Sequence, residues 1–174
     1  SSDYQGINYY YCTNPVLMAL EIERKFLLKD DSWKSQVVQS HVLRQGYLAS
    51  SPGPTVRIRT SDQRAFLTIK GKTTGISRVE FEYEVPMEEA LELLKLSANA
   101  PIEKTRHIVK ADGHVWEIDV FEGANLGLVL AEVELQSEDE QIVLPSWIGP
   151  EVSDDPRYFN SYLSENPFSN WKEN

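Results

Sequence analysis

The sequence predicts a closed antiparallel β-barrel of eight strands with flanking helices, a mainly β member of the α+β class. Three observations predict it. Eight segments alternate between charged and apolar residues at every second position, the period of strands with two different faces. Turn-forming residues separate neighbouring segments. The 174 residues, 41% of them hydrophobic, are enough for one core and require no second domain.

The eight predicted strands follow one another from Leu20 onward. They span residues 20–28, 43–49, 55–60, 65–70, 78–85, 104–110, 115–121 and 128–135. Asp112-Gly113, between two alternating runs, predicts a tight hairpin. Short connections join antiparallel neighbours, and eight such strands are enough to close a barrel.

Four shorter segments are predicted to be helical. The first comprises residues 87–96, which follow Pro86, carry glutamates near their start and place Leu91 and Leu94 on one apolar face. The other three predictions cover residues 31–39, 137–143 and 156–164. We expect these helices to cover or plug the barrel.

The two ends of the chain differ from the alternating pattern. Residues 1–17 are tyrosine-rich and nearly uncharged, and they precede Met18, which we interpret as the natural start. We expect this leader to be disordered or a remnant of expression; a native extension that packs on the domain is the alternative. The barrel domain is predicted over residues 18–165, followed by a tail at 166–174.

Composition excludes several classes of function. The net charge of −10 disfavours binding to nucleic acid or to an anionic membrane, and leaves a small anion in a local basic pocket as a possible ligand. The one cysteine, Cys12, forms no internal disulfide, and together with three histidines it lacks the spacing of a zinc site. With no apolar run near 20 residues and no visible signal region, we expect a cytoplasmic protein.

Charged residues share a face on nearly every predicted strand. The rows are Glu21, Glu23 and Lys25; Arg57 and Arg59; Lys70; Arg78, Glu80, Glu82 and Glu84; Lys104 and Arg106; Glu117 and Asp119; and Glu132 and Glu134. For any single strand, charges turned to water are the ordinary arrangement of a soluble barrel. For the whole set we expect the charged faces to line the barrel interior, because the predicted helices could cover the apolar faces that carry Phe81, Tyr83 and Trp116. Buried charges must be paired or bound, so the interior is predicted to hold a charged ligand.

A linear triphosphate with divalent cations suits a wall that carries both signs of charge. Arginine and lysine bind phosphate oxygens, and Mg²⁺ or Mn²⁺ prefers hard carboxylate and phosphate oxygens. The pairs Glu21/Glu23 and Glu132/Glu134 each hold carboxylates about 6–7 Å apart along a strand. We therefore expect one or two Mg²⁺ or Mn²⁺ ions per site.

Other kinds of site find little support. The sequence has no Walker-type phosphate loop and no Gly-x-Ser-x-Gly elbow, and its lone cysteine offers no Cys/His pair. A glycosidase with paired carboxylates would not need so many basic residues on the same faces. A lipocalin-like carrier would need aliphatic inward faces.

These residues resemble the CYTH superfamily, the triphosphate tunnel metalloenzymes. The Glu-x-Glu-x-Lys signature of that family is present as Glu21-Ile22-Glu23-Arg24-Lys25. Further matching segments follow in the family's order over residues 18–165: 44–47 (RQGY), 57–59 (RIR), 68–70 (TIK), 77–82 (SRVEFE), 103–106 (EKTR), 116–121 (WEIDVF) and 131–134 (AEVE). The chain looks most like the short bacterial members, which are associated with hydrolysis of inorganic tripolyphosphate.

The resemblance implies a set of site residues. Triphosphate binding is expected from Lys25, Arg57, Arg59, Lys70, Lys104 and Arg106, to which we add Arg78. Metal binding is expected from Glu21, Glu23, Glu132 and Glu134, with Glu80, Glu82 and Asp119 as candidates around a second ion. Lys104 and Arg106 are the predicted catalytic residues, because they could orient the attacked phosphorus; the sequence identifies no general base.

The predicted reaction is metal-dependent hydrolysis of tripolyphosphate to pyrophosphate and phosphate. The resemblance also leaves adenylate cyclisation, thiamine triphosphate hydrolysis and RNA 5′-triphosphate removal open, because fold alone does not decide among them. The net charge of −10 disfavours the RNA substrate. A non-catalytic polyphosphate-binding module is a further alternative. A homodimer is expected only because dimers are common among small proteins.

Overall fold

The structure is a computed structural model that describes residues 20–171. The predicted leader at residues 1–17, which includes Cys12, lies outside the described residues, and so does Met18. No helix in residues 20–171 is long and apolar enough to cross a membrane.

The described residues form nine strands, two α-helices and four short 3₁₀ helices. The strands are β1 Leu20–Leu28, β2 Val37–Ala49, β3 Thr55–Ser61, β4 Arg64–Lys70, β5 Ser77–Val85, β6 Ile102–Ala111, β7 His114–Phe121, β8 Val129–Glu134 and β9 Ile148–Glu151. The α-helices are α1 Met87–Leu94 and α2 Asn160–Glu165. The 3₁₀ helices are Ser32–Gln36, Gly123–Asn125, Pro156–Tyr158 and Phe168–Asn170.

Eight of the strands close into an antiparallel barrel, which confirms the predicted fold. Their order is β5-β4-β3-β2-β6-β7-β8-β1, and β1 returns to pair with β5 through Leu20↔Val79 and Glu21↔Arg78. The ninth strand, β9, is outside this cycle and pairs with the end of β1. The predicted hairpin between β6 and β7 is present, with Asp112 and Gly113 both at positive φ, as a tight two-residue turn requires.

Apolar side chains cover much of the barrel's outer face. One cluster centres on Phe26, Trp33, Trp116 and Trp147, all at most 2% exposed. A second lies under α1, where Ala90 packs with Leu94 against the outer face of β3 and β4. These two clusters bury the outer faces of their strands, which allows the opposite, inner faces to carry charge.

The predicted outer cover is incomplete over β5. Phe81 is 38% exposed and Tyr83 is 55% exposed, so the prediction that helices bury them is wrong. The reason is the length and placement of α1, which packs on β2, β3 and β4. Trp116, the third residue in that prediction, is fully buried.

Two helix predictions are wrong for local reasons. In residues 31–39 only Ser32–Gln36 is helical, as a 3₁₀ turn, because the β-branched Val37 begins β2 and pairs with β6. Residues 137–143 are not helical: Glu140 accepts from the backbone N–H of Gln136 at 2.6 Å, and such side-chain bonds compete with a helical backbone.

The other two helix predictions are confirmed with changed bounds. Helix α1 ends at Leu94 rather than at residue 96. The segment predicted at 156–164 is split at Phe159, whose extended backbone separates the 3₁₀ turn from α2. Strand β9 was not predicted, because Gly149 and Pro150 are poor strand formers that only an edge strand tolerates.

Candidate active site in the barrel interior

The barrel encloses a cavity of about 330 Å³ whose wall is mostly charged. The charged lining residues are Glu21, Glu23, Lys25, Arg57, Arg59, Lys70, Arg78, Glu80, Glu82, Lys104, Arg106, Glu117, Glu132 and Glu134. The prediction that the charged rows point inward is therefore confirmed for these positions. Glu84 is the exception in its row: it is exposed and pairs with Arg64.

The basic residues come from five strands and converge on this cavity. Lys25 lies on β1, Lys70 ends β4, and each is at most 6% exposed. Arg57 and Arg59 project from β3, and the Nε groups of both are buried without a hydrogen-bond partner among the described residues. A buried donor that lacks an acceptor is costly, so these guanidinium groups suit an anionic ligand in the cavity.

Lys104 and Arg106 share one buried counter-charge, Asp119. Arg106 donates to Asp119 through Nε at 2.7 Å and Nη2 at 2.8 Å, and Lys104 Nζ donates to the same carboxylate at 2.5 Å. Burial opposes ionisation of Asp119, but Arg106 and Lys104 keep its pKa below the ordinary value. Asp119 is fully buried and does not line the cavity, so the geometry favours a role in holding the two cations over the predicted role of metal ligand.

The pKa of Lys104 is lowered to about 8. Burial is the main cause and the charge of Arg106 adds to it, while Asp119 acts in the opposite direction. Near neutral pH this ammonium group stays protonated, yet it gives up a proton more readily than an exposed lysine does.

Two glutamates of the wall are held ionised by neighbouring cations. Glu21 accepts from Lys70 at 2.8 Å and from Arg78 at 3.0 Å. Although burial opposes it, these cations lower the pKa of Glu21 to about 2. Glu132 lies 3.2 Å from Lys25 and 3.3 Å from Arg106, and despite its burial the two cations hold its pKa below the ordinary value.

Other glutamates face like charges. Glu23 stands directly opposite Glu134 on the neighbouring strand, and Glu117 stands opposite Glu132. Burial and the charge of Glu132 raise the pKa of Glu23 to about 7. Burial also raises the pKa of Glu117. Like charges directly opposite each other destabilise a sheet, so this part of the wall attracts a cation.

The donor set suits a hard divalent cation that is shared with a ligand. Within residues 20–171, no group of three or more His, Cys, Asp or Glu side chains converges as a ready-made metal cage. Mg²⁺ is commonly held by one or two carboxylates together with phosphate oxygens and water. The carboxylates of Glu23 and Glu134, opposite each other on β1 and β8, meet that description in chemistry and placement.

Several residues in the lining or hydrogen-bonded to it were not predicted. Thr68 links two predicted residues, since it accepts from Arg57 at 3.2 Å and donates to Glu82 at 2.9 Å. Glu117 could have been included, because it shares the inward row of Asp119. Uncharged residues of the lining, which the charge pattern does not mark, are Tyr47, Thr55, Val115, Phe159, Asn160 and Ser161.

The C-terminal segment closes one end of the interior. Leu163 of α2 is fully buried against an apolar cluster that includes Phe121 and Leu130 on the inner wall. Lys25 Nζ donates to the backbone oxygen of Tyr158 at 3.2 Å, and Lys104 Nζ donates to Asn160 Oδ1 at 3.0 Å. The segment therefore contacts two of the three buried lysines of the wall, Lys25 and Lys104.

A closed antiparallel barrel whose inner face carries basic and acidic residues defines a class of proteins in which a charged tunnel binds the ligand. The model of the CYTH domain matches residues 19–159, and the chain belongs to this family.

Relatives with known names agree with this assignment. The chain is 46% identical over 157 residues to an inorganic triphosphatase from Acetivibrio thermocellus, across 90% of this chain and 100% of the relative. It is 37% identical over 149 residues to an inorganic triphosphatase from Nitrosomonas europaea, across 83% and 96%. A crystal structure of an inorganic triphosphatase is similar with a TM-score of 0.59 and 34% identity, across 83% of this chain and 93% of the other.

Proposed function

We propose that this protein hydrolyses inorganic tripolyphosphate to pyrophosphate and phosphate, with Mg²⁺ or Mn²⁺ as cofactor. The observation that carries the proposal is a tunnel wall on which seven lysine and arginine side chains face glutamates from β1, β5, β7 and β8. The names of the two relatives support the same substrate.

The basic residues bind the triphosphate in this proposal. Lys25, Lys70 and Arg78 reach the cavity from one part of the wall, and Arg57 and Arg59 from another. Multiple cations offset the several negative charges of the substrate, and arginine adds bidentate contacts. Because these groups are largely buried and fixed by ion pairs, they need little reorganisation when the substrate binds.

Glu21, Glu23, Glu132 and Glu134 would hold one or two divalent cations, with Glu80 and Glu82 beside them. A bound cation there would supply Lewis-acid polarisation of phosphate oxygens and a lower pKa for a bound water. Glu23 is the strongest candidate, because it stands opposite Glu134 on the neighbouring strand, and burial together with the charge of Glu132 raises its pKa.

Lys104 and Arg106 are the proposed catalytic residues. In hydrolysis, water oxygen bonds to the terminal phosphorus while the bond from that phosphorus to the bridging oxygen breaks, and pyrophosphate leaves. Negative charge grows on the leaving oxygen, and a protonated lysine and an arginine fixed by Asp119 can stabilise it through hydrogen bonds.

An organic triphosphate would need a place for its base or thiamine ring. The described lining is charged or polar apart from Tyr47, Val115 and Phe159, and it offers no broad apolar face. This composition favours inorganic tripolyphosphate over the cyclase and thiamine triphosphatase alternatives.

The metal assignment is tested by a double variant. Glu132→Gln with Glu134→Gln removes two proposed ligands while keeping side-chain volume, and turnover with Mg²⁺ or Mn²⁺ should fall at least about 100-fold. Glu84→Gln is the control, since Glu84 is an exposed glutamate of β5 that does not line the cavity and pairs with Arg64. Unchanged metal-dependent turnover in the double variant would refute the assignment.

The proposal extends to the location and assembly of the protein. We infer cytoplasmic residence, no nucleic-acid or membrane partner, and a homodimer. The acidic net charge of −10 supports the absence of a nucleic-acid partner. Light scattering coupled to gel filtration checks the assembly: a mass near 40 kDa, about twice the chain's 19.9 kDa, supports the dimer, and a mass near 20 kDa refutes it.

A further inference from the structure

Asn160 is the first residue of α2 and reaches the tunnel from its closed end. Its Oδ1 accepts a hydrogen bond from Lys104 Nζ at 3.0 Å, and the residue lines the same cavity as Lys104. We propose that Asn160 is a positioning residue that holds the Lys104 ammonium group in the orientation in which it meets the triphosphate. The inference rests on the proposed function, in which Lys104 contacts the substrate.

Lys104 needs a second hydrogen-bond acceptor because it shares its first one, Asp119, with Arg106. Arg106 Nη2 and Lys104 Nζ both contact Oδ2 of Asp119, at 2.8 and 2.5 Å. An ammonium group has three donors on a flexible stem, and one acceptor leaves it free to rotate. Asp119 and Asn160 together occupy two donors, which leaves the third donor for a ligand in the cavity that Lys104 lines.

The amide of Asn160 is suited to this task because it is neutral. A second carboxylate at this position would also fix Lys104, but it would repel the polyanionic ligand and offset more of the ammonium charge. An amide oxygen supplies direction with a smaller change in the local potential.

Asn160 is itself held by a well-packed segment. Leu163, one turn along α2, is fully buried, and its backbone N–H donates to Phe159 O at 3.0 Å. On the other side, the backbone oxygen of Tyr158 accepts from Lys25 Nζ at 3.2 Å. The Tyr158 ring meets Trp171 at 5.2 Å between centroids. These contacts fix the position of the C-terminal segment that carries Asn160.

Two variants separate positioning from packing. Asn160→Ala removes the acceptor, and Asn160→Asp keeps an acceptor oxygen at nearly the same place. Asn166→Ala, an exposed asparagine just after α2, is the matched control. Thermal unfolding establishes that each variant is folded.

Steady-state kinetics with tripolyphosphate and Mg²⁺ give the first readout. We expect Asn160→Ala to lower kcat about tenfold with less than a threefold change in KM, because the charge of Lys104 remains while its direction is lost. Asn160→Asp should keep kcat within threefold of the unmodified protein and raise KM, since it adds negative charge. The control should stay within twofold in both constants. An unchanged kcat in Asn160→Ala, or an equal loss in Asn160→Asp, overturns the inference.

A second readout does not depend on turnover. In protein labelled with ¹⁵N-lysine, the NH₃⁺ signal of Lys104, assigned through its loss in Lys104→Arg, reports the order of the ammonium group at pH 6. Asn160→Ala should lower that order and speed hydrogen exchange, whereas Asn160→Asp should not. If the unmodified protein is inactive but this change is seen, the proposed function fails and the positioning role stands. An unchanged signal overturns the positioning role whatever the turnover.

Discussion

Replacing Glu23 by glutamine should stabilise the protein at alkaline pH in the absence of divalent metal. Glu23 faces Glu134 across the strand pair, and burial together with Glu132 raises the pKa of Glu23 to about 7 from an ordinary 4.5. A carboxyl group whose pKa is raised by folding favours the folded state when it is protonated. The stabilisation that protonated Glu23 gives the folded state is therefore complete below pH 4.5 and is lost as the pH rises through 7.

The size of the expected change in stability follows from the pKa shift of Glu23. The rise from 4.5 to about 7 corresponds to about 3 kcal/mol at pH 8, and solvent screening of a carboxyl group that lines the cavity reduces this to about 1–3 kcal/mol. Glutamine mimics the protonated acid, so Glu23→Gln should raise Tm at pH 8 by about 2–10 °C for a chain of this size. At pH 5, where the parent carboxyl is largely protonated, the two proteins should unfold within about 2 °C of each other.

Thermal unfolding followed by circular dichroism in chelator, at pH 5 and pH 8, measures this difference. Glu122→Gln, at an exposed position, controls for the loss of one formal charge. Saturating Mg²⁺ should stabilise the parent more than Glu23→Gln, because a bound cation offsets the repulsion that the substitution has already removed. A variant that is no more stable than the parent at pH 8, or equally stabilised at both pH values, would refute the electrostatic reasoning.

Three further predictions follow from the wall and its packing. Asp119→Asn removes the carboxylate that two buried cations share and should lower the free energy of unfolding by about 3–5 kcal/mol in urea titrations; a loss below 1 kcal/mol would contradict the assigned role. Arg106→Lys cannot form the two-pronged contact with that carboxylate, so kcat/KM for tripolyphosphate should fall at least about tenfold; parent-like kinetics would count against it. Gly149→Ala places a Cβ 2.9 Å from the backbone oxygen of Leu27 and should cost about 1–3 kcal/mol, whereas Gly53→Ala, with open space around it, should be nearly neutral; equal stabilities would disprove the clash.

The barrel could be predicted from the sequence because side chains alternate strictly between the two faces of a strand. In each of β1, β6 and β8 the two-residue period puts the charged residues on one face of the strand. Glu23, Lys104 and Glu132, one from each strand, all line the cavity. The closure through β1 and β5 does not follow from that period. It depends on the register that pairs Leu20 with Val79, which packing across the whole sheet decides.

Other features were beyond a strand-by-strand interpretation. Asn160 enters the site because a distant C-terminal segment folds back across the tunnel, and no local pattern marks it. Asp119 has the right charge and face for a metal ligand, but the positions of Lys104 and Arg106 determine what its carboxylate contacts. Tyr83 looked like a core residue because periodicity shows which residues share a face, and it does not show what covers that face.

The most direct test of the central claim is the release of phosphate and pyrophosphate from tripolyphosphate, ATP and thiamine triphosphate, compared side by side with Mg²⁺, Mn²⁺ or chelator. The account predicts metal-dependent turnover of tripolyphosphate, with equal amounts of the two products, well above turnover of either organic substrate. Inactivity on all three substrates combined with tight tripolyphosphate binding would contradict it and identify a polyphosphate-binding module instead, and preference for ATP or thiamine triphosphate would contradict the proposed substrate.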